Sequence, residues 1–267
     1  MRDADVTSFP DPHAYLERIH FSGELDLGAL QPTASLLGAL HQAHLLAVPF
    51  ENLSIHYGQP ITLKDETLYE KIVRRRRGGF CYELNGLFAW LLRRLGFTVT
   101  LLSARVAQPD GGFSPEFDHL TLQAQDMEGV DWVADVGFGD SFRFPLRLQP
   151  DLEQDGGDGY TYLVGTDATD ASWLVRRRGE EDWEAQYRFS LRPHLMADFV
   201  ERCQFQQTSP ESHFTQRRIC SLALPDGRVT LSDLRLITTV HGARDERELG
   251  SEDEYRYVLA ECFGISL

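Results

Sequence analysis

The amino-acid sequence predicts an α+β fold made of three successive segments. At 267 residues, the chain is long for a single hydrophobic core, so two or three packed subdomains are expected. Apolar residues recur at helical spacing up to Gly96, alternate as in strands from Phe97 to about residue 190, and then follow both patterns. We therefore divide the chain into a helical segment, 1–96, a β segment, 97–192, and a mixed segment, 193–267.

Capping residues and apolar spacing predict four helices in the first segment. They cover residues 12 to about 19, 33 to the break at 48–53, 64 to about 75, and 81 to 95. A run of four arginines, residues 74–77, ends the third helix. The first three are interpreted as a solvated helix end that complements the helix dipole. Arg77 adjoins a glycine pair and is a candidate ion-pair partner of Glu51.

Alternating hydrophobicity predicts six strands in the second segment. They are residues 97–106, 118–124, 132–139, 160–164, 172–177 and 183–190. An antiparallel barrel or a sandwich would accommodate them. A turn at 126–129 would join two of these strands as a hairpin and bring His119 and Asp135 nearly opposite each other, although the sequence does not fix the register.

The third segment mixes helices and strands. Pro193 opens a predicted helix to about Cys203, and three strands are predicted within residues 218–240. A capping box at residues 251–254 begins the last helix, which Gly264 ends.

Cys81 is predicted to lie in the first turn of a helix, two residues after the glycine pair Gly78 and Gly79. Free N–H groups and the positive end of the helix dipole favour a thiolate at such a position. The glycines are expected to let the backbone turn sharply and to keep side chains away from the sulfur. A buried structural cysteine is the alternative, because free cysteines are often buried.

A cysteine nucleophile needs a base and a third group that orients the base. His119 is predicted on a strand face away from the leucines, with Asp135 on the neighbouring strand. Asp135 lies among apolar residues, and a buried carboxylate needs a partner such as a histidine N–H; a purely structural pair is the alternative. The other histidines are interpreted as surface, satisfied core, loop or helix-end residues. They are His13, His20, His41, His44, His56, His194, His213 and His241.

Composition and charge exclude several classes of function. The chain has 41 acidic and 26 basic residues and a net charge of −15, which argues against a nucleic-acid binder. No apolar run approaches the roughly 20 residues that span a bilayer, and residues 1–5 show no secretory leader. The four cysteines lack metal-ligand spacing, so we expect no metal and free thiols in a reducing, cytoplasmic compartment.

Five motifs, in order along the chain, resemble the arylamine N-acetyltransferase family of bacterial type. They are residues 48–53 (VPFENL), 77–86 (RGGFCYELNG), 118–120 (DHL), 135–139 (DVGFG) and 209–215 (SPESHFT). One short glycine–cysteine motif would be weak support, since such runs arise by chance. Five motifs in register over most of the chain are specific.

The resemblance implies a catalytic triad of Cys81, His119 and Asp135 in a cysteine-protease-like core. It also implies three subdomains: an N-terminal helical bundle, a central antiparallel β-barrel and a C-terminal α/β lid. Acetyl-CoA would be the co-substrate and a small aromatic amine or hydrazine the acceptor, with no nucleic acid or membrane as partner. The acetyl group would pass through Cys81 by a ping-pong mechanism.

Further site residues are expected in three groups. The residues expected against a flat acceptor are Phe138, Phe50 and Phe117, with core packing as the alternative for each. The residues expected to let the backbone approach the pantetheine arm of CoA are Gly137 and Gly139. The residues expected to support the site are Glu51, Arg77 and Asn85.

Three alternatives to this function remain open at the level of sequence. A transglutaminase-like or papain-like thiol hydrolase has a similar core, and peptide cleavage or glutamine transfer without CoA would favour it. An amide synthase of secondary metabolism would use an acyl carrier or a macrolactam precursor in place of acetyl-CoA. A non-catalytic binding module would have to explain three reactive residue types at the triad positions.

Overall fold

Helices, a barrel-like sheet and a second sheet with a final helix follow one another along the chain. The computed structural model describes residues 10–21, 27, 30–166, 172–179 and 182–267. Residues 1–5, on which the expectation of no secretory leader rests, lie outside the described residues. All pairs of neighbouring strands in the two sheets are antiparallel. The predicted α+β fold is confirmed.

The helices of the first segment begin close to their predicted capping residues. They are α1, Pro12–Arg18; α2, Ala34–Ala47; α3, Leu53–His56; α4, Asp65–Tyr69, which continues as a π-helical turn, Glu70–Arg74; and α5, Cys81–Arg94. The side chain of Asp11 accepts a hydrogen bond at the start of α1, and that of Thr33 does so at the start of α2. The helix α5 is buried from Cys81 to Leu92, as its apolar spacing predicts.

The strands of the second segment form one sheet of eight strands. They are β2, Thr98–Val106; β3, His119–Gln125; β4, Asp131–Ala134; β5, Leu146–Arg147; β6, Glu153–Asp155; β7, Thr161–Thr166; β8, Trp173–Arg178; and β9, Trp183–Phe189. Their order is β5-β4-β3-β2-β9-β8-β7-β6. Because β5 also packs beside β7, the sheet curls into a nearly closed barrel rather than a sandwich. Its interior holds aromatic and branched side chains such as Tyr162, Val175 and Tyr187.

The strand predicted over residues 132–139 is wrong beyond Ala134, where β4 ends. Three successive N–H groups after this point are taken by side chains instead of a neighbouring strand. The N–H of Asp135 donates to His41, that of Val136 to Asn85, and that of Gly137 to the Asp135 carboxylate. The segment therefore leaves the sheet where the predicted site residues begin.

The third segment forms a five-stranded sheet with flanking helices. Its elements are a 3₁₀ turn, Met196–Phe199; α6, Val200–Thr208; α7, His213–Gln216; β10, Ile219–Leu224; β11, Gly227–Ser232; β12, Arg235–Val240; β13, Ala243–Glu248; and α8, Glu252–Phe263. The helix predicted from Pro193 to Cys203 begins and ends later. The strand β13 was not predicted, because all its side chains are exposed and it has no apolar alternation.

A two-residue strand from the first segment completes the sheet of the third segment. This strand, β1, is Phe50–Glu51, and it pairs with β10 through Phe50↔Ser221 and Glu51↔Cys220. Phe50 also forms a bridge with Gly79 in the loop before Cys81. The loop that carries the cysteine is thus tied to the C-terminal sheet, whereas the boundaries near residues 96 and 192 stay predictions.

The glycine pair before Cys81 is required by close packing and not, as expected, by a sharp turn. Neither Gly78 nor Gly79 has a positive φ. A Cβ on Gly78 would lie 1.9 Å from the carbonyl oxygen of Pro49, and one on Gly79 would lie 2.7 Å from the Glu83 Cβ. The glycines therefore let β1 and the first turn of α5 approach the loop.

No helix among the described residues is long and apolar enough to cross a membrane.

Two glycine-to-alanine substitutions test this account of the cysteine loop. Gly78→Ala is expected to lower the free energy of unfolding by about 1–3 kcal/mol, because the added methyl meets a backbone oxygen that cannot move aside. Gly38→Ala, in the interior of α2 with no atom within 4 Å of the new Cβ, is expected to raise it by about 0.5–1 kcal/mol. Urea unfolding measures both, and equal effects would contradict the packing explanation.

Candidate active site

The side chains of His119 and Asp135 meet between β3 and the end of β4. If the pairing Leu122↔Ala134 continued by one residue, Asp135 would face Thr121 and lie diagonally across from His119 on the same face of the sheet. His119 Nε2 lies 2.6 Å from Asp135 Oδ2. Both residues are buried. The sequence predicted this neighbourhood but not the diagonal register.

The Asp135 carboxylate is held in its ionised form. Its Oδ1 accepts hydrogen bonds from Asn85 Nδ2 at 2.8 Å and from the Gly137 N–H at 3.0 Å. Burial alone raises the pKa of Asp135, but the charge of His119 and these hydrogen bonds hold the pKa below its ordinary value. An ionised carboxylate only accepts, so His119 donates from Nε2. In the neutral imidazole the other ring nitrogen, Nδ1, then carries no proton and can accept one.

Asn85 connects the helix α5 to the barrel. It lies four residues after Cys81, on the same helix face. Its Nδ2 also donates to the Leu120 carbonyl at 2.6 Å, and its Oδ1 accepts from the Val136 N–H at 2.9 Å. One side chain therefore fixes the strand that carries His119 and the segment that carries Asp135 against the helix that carries Cys81.

Cys81 is the first residue of α5 and is 3% exposed. Burial raises the pKa of its thiol well above the ordinary value, a backbone hydrogen bond from Leu120 opposes the rise, and Asp118 and Asp135 add to it. Desolvation therefore outweighs the effect of the helix start, which was expected to favour a thiolate. A thiolate at this position needs a cation beside it. The hydrogen bond comes from the backbone of Leu120, the residue after His119 in the chain, so the sulfur lies next to the strand that carries His119.

Gly137 packs directly on the cysteine. A Cβ at this residue would lie 2.8 Å from Cys81 Cα and 2.8 Å from Asn85 Nδ2. The absence of a side chain at Gly137 is therefore explained by its approach to α5, whereas the predicted approach to a pantetheine arm remains a prediction.

The predicted partners Glu51 and Arg77 lie together beneath the cysteine loop. Arg77 Nε donates to Glu51 Oε1 at 3.1 Å, and Nη2 lies 2.9 Å from the same oxygen. Burial raises the pKa of Glu51, but Lys71, Arg77 and the Leu53 N–H together hold it below its ordinary value. This ion pair joins β1 to the loop that ends at Cys81.

Two residues of the same charge cluster were missed from the sequence. Lys71 Nζ lies 2.8 Å from Glu83 Oε1 and 3.8 Å from Glu51 Oε1. The Glu83 carboxylate also accepts the Phe80 N–H at 3.2 Å, which caps α5. Glu83 could have been found from its position three residues after the helix N-cap, but no local signal marks Lys71.

Among the predicted aromatic residues, Phe138 touches the histidine. Its ring centroid lies 5.2 Å from that of His119 and 5.1 Å from that of Tyr187. Phe117 precedes this site with a φ of 63° and packs against Phe199 at 5.3 Å. A non-glycine residue in that region is strained, so the surrounding structure holds Phe117 in place.

A cavity of about 370 Å³ opens beside Phe138 and lies between the barrel and the C-terminal sheet. Its walls include the predicted residues Phe50, Phe138 and Gly139, together with Arg228 and Arg244. Neither Gly137 nor Phe117 lines it. His119 and Cys81 do not line the cavity, and the Phe138 ring, which contacts His119, forms the wall on that side.

The described residues contain no group of three or more His, Cys, Asp or Glu side chains placed to hold a metal ion.

Two buried histidines on α2 were interpreted as surface or satisfied core residues. His41 accepts the Asp135 N–H at Nε2, 3.0 Å away, and its Nδ1 lies 2.7 Å from the Arg143 carbonyl. His44 Nδ1 lies 2.8 Å from the Tyr15 hydroxyl. Burial lowers the pKa of His41 to about 4 and lowers that of His44 well below its ordinary value. Their burial could have been predicted from the sequence, because His41 and His44 follow Leu37 and Leu40 at helical spacing and so share the buried face of α2.

Comparison with known proteins gives consistent matches over most of the chain. A family model described as N-acetyltransferase matches residues 33–267. The arylamine N-acetyltransferase / N-hydroxyarylamine O-acetyltransferase of Salmonella typhimurium is 38% identical over 98% of this chain and 90% of its own length. The arylamine N-acetyltransferase of Escherichia coli is 34% identical over 95% and 88%. The structure of the Mycobacterium marinum arylamine N-acetyltransferase in complex with CoA superposes with a TM-score of 0.86 at 31% identity, over 96% and 93%.

The buried histidines predict an acid-labile fold. As pH falls below the ordinary histidine pKa of about 6.5, His41 and His44 become protonated in the unfolded chain. In the native state both stay neutral, because burial lowers their pKa values. The free energy of unfolding should therefore fall from about pH 6.5 towards pH 4, with each group contributing up to about 1.4 kcal/mol per pH unit. Urea unfolding at pH 7, 6 and 5 measures the slope, which His44→Gln should reduce. An unchanged slope in this variant would contradict the prediction.

Proposed function

This chain belongs to the arylamine N-acetyltransferase family, and from that premise we propose that Cys81, His119 and Asp135 perform its acetyl transfer. The enzyme is an acyltransferase that N-acetylates arylamines with acetyl-CoA as co-substrate. The observation that carries the proposed triad is the 2.6 Å hydrogen bond between His119 and Asp135 beside Cys81.

In the first half-reaction, His119 Nδ1 takes the thiol proton of Cys81. The resulting imidazolium supplies the positive charge that the buried thiolate needs, and Asp135 stabilises it. The thiolate attacks the carbonyl carbon of the acetyl-CoA thioester, the bond between this carbon and the CoA sulfur breaks, and His119 returns the proton to the departing CoA thiolate. N–H groups in the first turn of α5 would stabilise the oxyanion.

In the second half-reaction, the amine nitrogen of the acceptor attacks the acetyl carbon on Cys81. An arylamine is neutral near pH 7 and needs no prior deprotonation. His119 removes the proton that the nitrogen loses, and the bond between the carbon and the Cys81 sulfur breaks. His119 then returns this proton to the Cys81 thiolate, which restores the thiol and the neutral imidazole of the starting state.

The aromatic wall of the cavity supports a flat acceptor. Phe138 lies against His119 and lines the cavity together with Phe50, so a ring stacked there would present its amine to the acetylated cysteine. We propose small arylamines and arylhydrazines as acceptors. The Salmonella typhimurium relative is also named an N-hydroxyarylamine O-acetyltransferase, which makes O-acetylation of N-hydroxyarylamines a second candidate activity.

The same cavity is proposed to receive part of acetyl-CoA. Gly139 leaves its wall open, and Arg228 and Arg244 give the lining two positive charges against the one negative charge of Asp140, in a protein with a net charge of −15. Arginine side chains pair well with phosphate groups. The phosphates of CoA would then lie near the C-terminal sheet, with the thioester directed towards Phe138 and Cys81.

A cytoplasmic location is proposed on the basis of the thiols. Cys81, Cys203, Cys220 and Cys262 are all free, and free cysteines are typical of reducing compartments. Such a compartment keeps Cys81 available as a nucleophile.

Intact mass spectrometry tests the two half-reactions separately. Incubation with acetyl-CoA alone should add one acetyl group to the peptide that contains Cys81, and addition of an arylhydrazine should remove it. Cys81→Ala should show neither change and should reduce turnover to background, because no other group takes the acetyl. Transfer at the wild-type rate by Cys81→Ala would overturn the mechanism. Loss of the acetyl group to water without an acceptor would instead favour the thiol hydrolase.

A matched pair of arginine substitutions tests the placement of CoA. Arg235 and Arg244 both pair with Glu246, but only Arg244 lines the cavity. Arg244→Gln should raise KM for acetyl-CoA roughly three- to tenfold, because it removes a charged hydrogen bond to phosphate, and should leave kcat unchanged. Arg235→Gln should leave both constants near the wild-type values. An equal rise of KM in the two variants would place the phosphates elsewhere.

A further inference from the structure

The imidazole of His41 joins two ends of the segment that carries the proposed catalytic aspartate. This segment, residues 135–143, runs from the end of β4 towards β5 and includes Asp135 and Phe138. His41 Nε2 accepts the Asp135 N–H at 3.0 Å, and His41 Nδ1 lies 2.7 Å from the Arg143 carbonyl oxygen. The ring is fully buried and stacks on Phe142 with an interplanar angle of 9° and a centroid distance of 5.8 Å.

Both contacts require one neutral tautomer of His41. A carbonyl oxygen only accepts, so Nδ1 carries the proton; the Asp135 N–H only donates, so Nε2 carries none. The titratable groups that face His41 are Asp135 and His44, and the guanidinium of Arg143 is directed away to the C-terminal sheet. Burial holds the pKa of His41 near 4, so this tautomer persists at neutral pH.

The far end of segment 135–143 is fixed to the C-terminal sheet. The Arg143 guanidinium donates to the carbonyls of Pro225 and Gly227, the latter at 2.7 Å. Asp140 pairs with Arg228 Nε at 3.2 Å. The Arg143 end of the segment is thus bonded to β11 and to the turn before it, and both ends are bonded to His41. The segment therefore has little freedom to shift Asp135 or Phe138 relative to His119.

We infer that His41 is a positioning residue for the acetyl transfer, which fixes the backbone at Asp135 so that its carboxylate orients His119. The inference rests on the proposed function of Cys81, His119 and Asp135. Loss of the acceptor at Nε2 would leave the Asp135 N–H buried and unpaired. Because a buried N–H without an acceptor is unfavourable, the peptide would turn to give this group another partner, and the carboxylate would move with it.

Two polar substitutions separate this role from simple packing. An asparagine side chain reaches the position of Nδ1, so His41→Asn keeps the donor to Arg143 and loses the acceptor for Asp135. A glutamine side chain reaches the position of Nε2, so His41→Gln keeps the acceptor. His44→Gln is the matched control, because His44 lies on the same buried face of α2 and bonds Tyr15 instead of segment 135–143.

The first readout is the single-turnover rate of Cys81 acetylation at saturating acetyl-CoA, followed by intact mass. His41→Asn should slow it about 10–100-fold, as expected for a small misplacement of a catalytic group. His41→Gln and His44→Gln should stay within about threefold of the wild type, since both keep an acceptor for the Asp135 N–H. Equal rates in His41→Asn and His41→Gln would overturn the inference.

The second readout is the pH profile of Cys81 alkylation by iodoacetamide, which follows the thiolate. The profile of His41→Asn should move to higher pH, because a displaced Asp135 supports the imidazolium less well, and that of His44→Gln should match the wild type. If wild-type Cys81 takes no acetyl group, the proposed function fails, while these profiles still decide on His41. If His41→Asn does not fold, His41→Leu replaces it, with His44→Leu as control. If neither acceptor-free variant folds, His41 serves folding alone and the inference is overturned.

Discussion

The buried carboxylate of Asp135 is the interaction on which the other contacts of the site depend. A charge in a low-dielectric interior is stable only when donors surround it. Asp135 takes its donors from three parts of the chain, namely His119 on β3, Asn85 on α5 and the N–H of Gly137. Satisfying one carboxylate therefore fixes the helix of the cysteine against the strand of the histidine.

A second set of buried charges fixes the loop before Cys81 without activating the thiol. Glu51 and Glu83 face Lys71 and Arg77, so two negative charges meet two positive ones. Burial raises the pKa of the Cys81 thiol well above its ordinary value, so this cluster does not by itself produce a thiolate. The cluster therefore serves to place the loop, and in the proposed mechanism the activation of the thiol falls to His119.

Residues whose roles follow from local sequence were predictable, and those whose partners lie far away in the chain were not. Helical spacing located α5, and alternation placed His119 on the polar face of β3. The end of β4 at Ala134 could not be predicted, because the N–H groups that follow it bind Asn85 and His41, and only the folded chain brings these together. The exposed strand β13 lacks apolar alternation, and its partner β12 alone defines it.

The pairing of β1 with β10 sets the order in which a growing chain can complete this structure. Asn52 bonds the backbone of Ile219, 167 residues further along, and Phe50 pairs with Ser221 in the same sheet. At about 5–20 residues per second on the ribosome, the segment beside the cysteine loop waits roughly 10 to 30 seconds for its partner strand. During synthesis the strand β1, to which the loop before Cys81 is bonded, thus has no partner strand until the C-terminal sheet has been made.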